Sequence, residues 1–187
     1  GMQAMLEHQQ NPNCTHITTV VVSNKSGVKG IERAKDLDAP TVVVEASPNL
    51  SGDERRVAHE LEIEQVLFDY EVELVILSGY MRLLSPQFVE RWEGKIVNIH
   101  PSLLPDFPGA HAHRDVIASG VDKSGCTVHY VDAGMDTGQI IAQCEVEVLP
   151  EDTEETLASR IKHFEHILYP LVVDAIASGD FSNLNFD

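Results

Sequence analysis

Four short runs of apolar, mostly β-branched residues constrain this chain more than anything else in it: Ile17–Val22 (ITTVVV), Pro40–Val44 (PTVVV), Glu73–Leu77 (ELVIL) and Lys95–Ile99 (KIVNI). A strand with one face in water alternates apolar and polar residues, whereas a strand covered on both faces does not. None of the four alternates, so each is predicted to be a buried strand of a parallel sheet. Between them stand segments of helical periodicity, Lys29–Leu37, Asp53–Tyr70 and the short Pro86–Trp92. This βαβαβ rhythm requires right-handed crossovers. The expected fold class is α/β, an open, mostly parallel, twisted sheet with helices on both faces.

The texture changes after His100. Pro101–Gly109 (PSLLPDFPG) carries three prolines and a glycine and reads as an ordered loop. His111–Ser119 is predicted helical and closed by Gly120. Cys126–Val131 and Gln139–Val148 read as strands flanking the glycine-rich turn Asp132–Gly138 (DAGMDTG), and Thr153–Ser178 as one long helix with Thr153 at its N-cap. Residues 1–187 read as a single domain. Folds of this kind normally open with a strand and a glycine-rich, phosphate-binding turn. Here residues 2–10 (MQAMLEHQQ) already read as a helix, and neither GxGxxG nor GxxxxGK[ST] occurs. The first strand of the fold is therefore expected to be missing from this chain.

Charge and composition exclude several classes of function. Thirteen Lys and Arg against 30 Asp and Glu give a net charge of −17, which argues against a nucleic-acid partner. No run approaches the ~18 apolar residues of a membrane span. No signal-peptide pattern opens the chain, and three cysteines without CxxC spacing fit a reducing compartment, so the expected location is cytoplasmic. Nine histidines raise the question of a metal. His111/His113 and His163/His166 lack HExxH or cysteine–histidine spacing, however, and no metal is expected. A serine nucleophile is equally unsupported, because GxSxG is absent and Ser102 stands among prolines.

Three places could carry chemistry. Asn98 and His100 end the strand Lys95–Ile99 two residues apart, so strand geometry points both side chains to one face, at the carboxyl edge where open sheets bind ligands. An amide donor beside an imidazole suits a reaction that builds a negative oxygen and moves a proton. A loop-capping amide and a satisfied strand-end histidine fit the same pattern. Asp136 lies in the Asp132–Gly138 turn, where it could set the tautomer of an imidazole, or merely make a hairpin turn. Gly79–Leu84 (GYMRLL) offers a close-approach glycine and Arg82, a partner for a carboxylate or a ring, or simply a surface arginine at a helix entry.

The ordered set Asn98–Pro105 (NIHPSLLP), Phe107-Pro108-Gly109, His111-Ala112-His113, Gly125–Val131 (GCTVHYV) and Met135–Gly138 (MDTG) resembles the signature of the phosphoribosylglycinamide formyltransferases. Val21–Lys25 (VVSNK), Ser78–Ser85 (SGYMRLLS), Glu165-His166 and Tyr169-Pro170 fit as well, so the resemblance runs from residue 2 to about 175. It implies a Rossmann-like formyltransferase fold. The implied reaction transfers the formyl group of 10-formyltetrahydrofolate to the amine of 5'-phosphoribosylglycinamide in purine biosynthesis. The implied partners are these small molecules alone. By the same resemblance Asn98, His100 and Asp136 match the catalytic trio. Arg82, Leu83, Leu84, Val89, Ile96, Val131, Ala133 and Gly134 match the pterin pocket. Gly79 and Pro101 match positions flanking the substrate amine, Glu165 the acid that holds the ribose hydroxyls, and Arg56 a basic residue near the folate.

One departure stands at the front. Gln3–Leu6 matches the helix that follows the family's Gly-Asn-Gly-Ser-Asn-type phosphate loop, so that loop is not in the chain. A truncated or inactive folate-binding homologue is the alternative this leaves open. A formyltetrahydrofolate hydrolase is another, though those enzymes depart from Pro-Ser-Leu-Leu-Pro. An uncovered strand beside the gap would favour association, so a monomer or a homodimer is expected.

Overall fold

The computed structural model describes residues 1–182 and 184; residues 183 and 185–187 of the predicted domain lie outside the described residues. In chain order the elements are α1 (Met2–His8), β1 (Val21–Ser23), α2 (Lys29–Asp36), β2 (Thr41–Val43), α3 (Gly52–Asp69) and β3 (Val75–Ile76). They continue with α4 (Pro86–Arg91), β4 (Ile96–His100), α5 (Ala112–Ser119), β5 (Lys123–Tyr130), β6 (Ile140–Glu147) and α6 (Glu154–Ser178). β1 pairs in parallel with β2, and β3 with β4, while β4–β5 and β5–β6 are antiparallel. The sheet is in two pieces, β1-β2 and β3-β4-β5-β6, and among the described residues no backbone ladder joins β1 to β3.

That break accounts for the main departures from the sequence expectation. The runs at Ile17–Val22, Pro40–Val44 and Glu73–Leu77 pair over only three, three and two residues. Apart from the buried Val44 their apolar residues are half-buried or exposed, and Ile17 is 79% exposed. Among the described residues β1 and β2 are laddered only to each other and β3 only to β4. β4 has partners on both sides. It extends over five residues, and Ile96 and Val97 are fully buried.

Alternation along β4 divides the core. Ile96 joins Leu67 of α3 and Phe88, Val89 and Trp92 around α4, with Val22 and Val75 packed against them. Val97, one residue on, faces the other way into Met5, Val116, Cys126, Val128, Leu157, Ile161 and Tyr169. Helices α3 and α4 thus cover one face, and α1, α5 and α6 the other. Two carboxylates help fix α3 to α4: Glu60 accepts the Ser85 N–H at 2.8 Å and its hydroxyl, and Glu64 accepts Arg91 Nε at 2.7 Å and Trp92 Nε1 at 3.1 Å.

Local chemistry sets the ends of the C-terminal helices. Thr153 Oγ1 accepts the Thr156 N–H at 3.2 Å while Thr156 Oγ1 accepts the Thr153 N–H at 2.9 Å, a reciprocal cap on α6. Gly120 (φ 70°) and Gly179 (φ 74°) close α5 and α6 in the left-handed region that suits glycine.

Candidate active site

Strand register delivers the first three groups. Asn98 stands opposite His129 and His100 opposite Thr127 in the β4–β5 ladder. Asn98 and His100 share the face of β4 that carries Ile96. His129 and Thr127 share the corresponding face of β5, since Val128 between them points into the other core. The loop after β4 then folds back over them. Ser102 Oγ donates to the Asp106 carbonyl at 2.6 Å, and Thr127 Oγ1 donates to the Ser102 carbonyl at 2.6 Å while accepting the Leu104 N–H at 3.0 Å. Gln143 on β6 clamps the same loop through the Leu104 carbonyl, 2.9 Å away.

This scaffold fixes both ring tautomers. His100, 5% exposed, lies with Nε2 2.9 Å from the Phe107 carbonyl, and a carbonyl only accepts, so Nε2 carries the hydrogen. Its Nδ1 faces the Asp136 carboxylate at 3.4 Å. His129 uses Nδ1 on the Tyr130 carbonyl at 2.9 Å, leaving the Nε2 lone pair to the Asn98 amide nitrogen at 3.4 Å. Burial holds the His129 imidazole below the usual histidine range, which keeps that lone pair available.

Asp136 arrives from the turn between β5 and β6. Its backbone is left-handed (φ 55°), and Oδ2 accepts the Gly109 N–H at 2.8 Å. Its other oxygen lies 3.7 Å from His129 Nε2. Asp132 braces the turn, accepting the Gly134 N–H at 3.0 Å and the Thr137 hydroxyl at 2.8 Å. A Cβ on Gly138 would overlap the Tyr130 carbonyl oxygen, so the return strand can approach only as glycine. A cavity of about 210 Å³ opens beside Asp136, lined by Leu104, Pro105, Pro108, Met135, Thr137 and Ile140 among others. His113 adds a half-buried ring whose Nε2 has no hydrogen-bond partner among the described residues, with burial lowering its proton affinity.

Asn98, His100 and Asp136 therefore converge on one spot, together with His129. His129 is quoted in the GCTVHYV motif but has no role assigned from sequence. Its place follows only from the antiparallel register opposite Asn98. The residues predicted to line a pterin pocket are divided. Leu84, Val89, Ile96 and Val131 meet in a single apolar cluster, where the Ile96 side chain is fully buried and its carbonyl already accepts the Val131 N–H at 2.9 Å. Leu83, Ala133 and Gly134 are exposed. Arg82 extends to α3, where its Nη1 donates to His59 Nδ1 at 3.3 Å; His59 in turn donates to the Val44 carbonyl at 2.7 Å. Among the described residues no carboxylate lies within ion-pair distance of Arg82. Arg56 is engaged with Asp53 at 3.0 Å.

Of the remaining predicted groups, Pro101 directly follows His100, and Gly79 (φ 65°) follows the end of β3. Glu165 sits on α6 one turn before Tyr169, whose hydroxyl lies 2.9 Å from the Leu77 carbonyl and 2.8 Å from that of Val97. Burial raises the Glu165 carboxyl above the usual range, opposed by the nearby chain-terminal amine and Lys162. No metal-ligand spacing is visible in the sequence, yet the fold brings His8, Cys14 and Asp174 within 4.8 Å of one another, well outside this cleft.

A family described as "Formyl transferase" matches residues 1–173. The phosphoribosylglycinamide formyltransferase of Bacillus subtilis (strain 168) is 42% identical over 173 residues, 92% of this chain and 87% of that protein. That of Escherichia coli (strain K12) is 34% identical over 181 residues, 96% of this chain and 82% of that protein. The trifunctional purine biosynthetic protein adenosine-3 of Gallus gallus is 43% identical over 179 residues, but the chain spans only 17% of its length. Among solved structures, the phosphoribosylglycinamide formyltransferase of Bacillus halodurans superposes with a TM-score of 0.87 at 40% identity, covering 99% of this chain and 93% of that one.

Proposed function

The chain belongs to the formyl transferase family, and we propose that it transfers the formyl group of 10-formyltetrahydrofolate to the primary amine of 5'-phosphoribosylglycinamide, in the cytoplasm, as a monomer or homodimer. The observation that carries this reading is the meeting of a carboxamide, two imidazoles of opposite tautomer and one carboxylate at the carboxyl edge of β4.

Each group has a task the geometry allows. His129, neutral and with Nδ1 committed to Tyr130, accepts one Asn98 amide hydrogen and so aims the carboxamide. The second amide hydrogen is then free to meet the formyl oxygen as it gains negative charge. His100 cannot turn, because Nε2–H is held by Phe107. Nδ1 is the nitrogen left to take a proton from the attacking amine and return it to the departing nitrogen. Asp136 faces Nδ1 and opposes the positive charge formed there. Arg82, without a carboxylate partner among the described residues, is the cation we assign to a carboxylate of the folate; Leu83, Ala133 and Gly134 are exposed for its ring system, and Leu84 and Val131 pack into the neighbouring apolar cluster. We assign Glu165, Gly79 and Pro101 to the amine substrate.

The reading is tested by single-turnover formyl transfer to glycinamide ribonucleotide, with water as the only acceptor in a control arm. Asn98→Ala is expected to lower turnover by ~10²–10³-fold with folate affinity nearly unchanged, the usual cost of one lost oxyanion donor. Full turnover in Asn98→Ala would remove the assignment. Formyl loss to water at the same rate as to the amine would make the chain a hydrolase.

A further inference from the structure

A second cluster of titratable groups shares no residue with the cleft, and the formyl-transfer chemistry does not use it. It is assembled from α1, the segment after it and the last third of α6. Asp174 Oδ2 is 2.5 Å from His8 Nε2. Asp174 Oδ1 has four donors around it: Thr15 N at 2.8 Å, His16 Nδ1 at 2.8 Å, Thr15 Oγ1 at 3.0 Å and Cys14 Sγ at 3.3 Å. Cys14 Sγ is also 3.5 Å from His16 Nδ1, and the His8 and His16 rings stack with centroids 5.9 Å apart. The side chains of His8, His16 and Asp174 are only 19%, 10% and 18% exposed.

Two of these donors also have a carbonyl within reach, Thr15 Oγ1 that of Asp174 at 2.9 Å and Cys14 Sγ that of His16 at 3.3 Å, so the Thr15 and His16 N–H groups fill the two lone pairs of Oδ1. A thiol, two imidazoles and a carboxylate held this closely, from segments 160 residues apart, make a ligand set. We propose that His8 Nε2, Cys14 Sγ and Asp174 bind a zinc ion, with His16 Nδ1 holding the Asp174 carboxylate from outside the coordination sphere. At ordinary zinc bond lengths two donors on a tetrahedral ion lie roughly 3.3–3.6 Å apart. The Cys14–Asp174 separation of 3.3 Å meets that spacing as it stands. The His8–Asp174 contact must open by about 0.5–1 Å, a small turn of the carboxylate. Sulfur and imidazole donors disfavour magnesium and calcium and suit a borderline-soft ion.

On binding, the Cys14 S–H bond breaks, its proton leaves to solvent, and a sulfur–zinc bond forms. The His8 hydrogen resides on Nδ1 so that the Nε2 lone pair faces the ion. The ion ties α1 and the segment after it to α6 through three protein donors.

The experiment is titration of the chelator-stripped protein, with Zn²⁺ followed by calorimetry and Co²⁺ by absorption. One ion per chain is expected, with a thiolate-to-cobalt charge-transfer band. Cys14→Ser should abolish the band and weaken zinc at least ~100-fold, with His8→Asn and Asp174→Asn doing the same and His16→Ala costing at least ~10-fold. Should Asp174→Asn fail to fold, the near-isosteric Cys14→Ser decides by itself. No metal uptake by the wild-type protein overturns the proposal. So does an unchanged band and affinity in Cys14→Ser, which would move the ion to the histidines of the cleft.

Discussion

Two aspartates in this protein each gather two histidines, and they do so in opposite ways. Around Asp136 the rings stand off at 3.4 and 3.7 Å, because each has already committed one nitrogen to a backbone carbonyl. Around Asp174 the rings come straight to the carboxylate at 2.5 and 2.8 Å, joined by a thiol and two groups of Thr15. Orientation by the backbone leaves an aspartate with capacity to spare, and a proton or substrate can enter. Orientation by the aspartate itself uses that capacity up. The first arrangement is suited to turnover and the second to holding parts together.

Substitutions that remove only charge sharpen this contrast. Asp136→Asn keeps the shape and the Gly109 contact but takes away the charge facing His100. On the precedent of other aspartate-oriented histidines it is expected to cut kcat by ~10³–10⁴-fold. Thermal unfolding should barely move, and a variant that unfolds early instead would place Asp136 among the structural carboxylates. Asp174→Asn is the mirror image. It replaces an acceptor crowded by donors with a group that itself donates, and is expected to cost ~2–3 kcal/mol of stability in denaturant titration. Formyl transfer by the folded fraction should stay within ~2-fold of wild type, because nothing in the cleft touches Asp174.

A smaller effect is read in the pH dependence of the first cluster. The folded His129 pKa lies below its unfolded value of ~6.5, so above that pH both states are neutral and the contribution of this ring is complete. As pH falls through ~6.5 the unfolded chain takes up the proton first, and stability declines until the folded ring protonates too. Protonated Nε2 can no longer accept from Asn98, so kcat should fall over the lower part of the same window. His129→Gln, measured over that range, should flatten this part of both profiles. A persistent decline in the variant would assign the titration to another group.

Much of this was readable residue by residue, and the rest was not for a physical reason. The strand at Lys95–Ile99, the rigid loop after it and the helix capped by Thr153 are written in local pattern, and they appear within a residue or two of where pattern places them. β5 begins three residues earlier than its apolar run, at Lys123, because Gly125 lets the ladder close against Cys144 and Ser124 is buried without being apolar. Periodicity carries no sign of that. The place of His129 depends on antiparallel register, and the His8–Cys14–His16–Asp174 cluster on a contact across 160 residues. Spacing rules for metal ligands look along the chain, so a set split between its two ends escapes them.

The divided sheet has a consequence for how the molecule breathes. Among the described residues β1 and β2 are laddered only to each other, and Val22 is the side chain of that ribbon packed into the core around Trp92. A ribbon fastened by side chains can detach as a cooperative unit without disturbing the ladder from β3 to β6. Amide protons of Val21–Ser23 and Thr41–Val43 should therefore exchange with solvent deuterium well before those of β4 and β5. The stretch from β1 to β2 would then melt on its own, while the carboxyl edge of β4 stays intact.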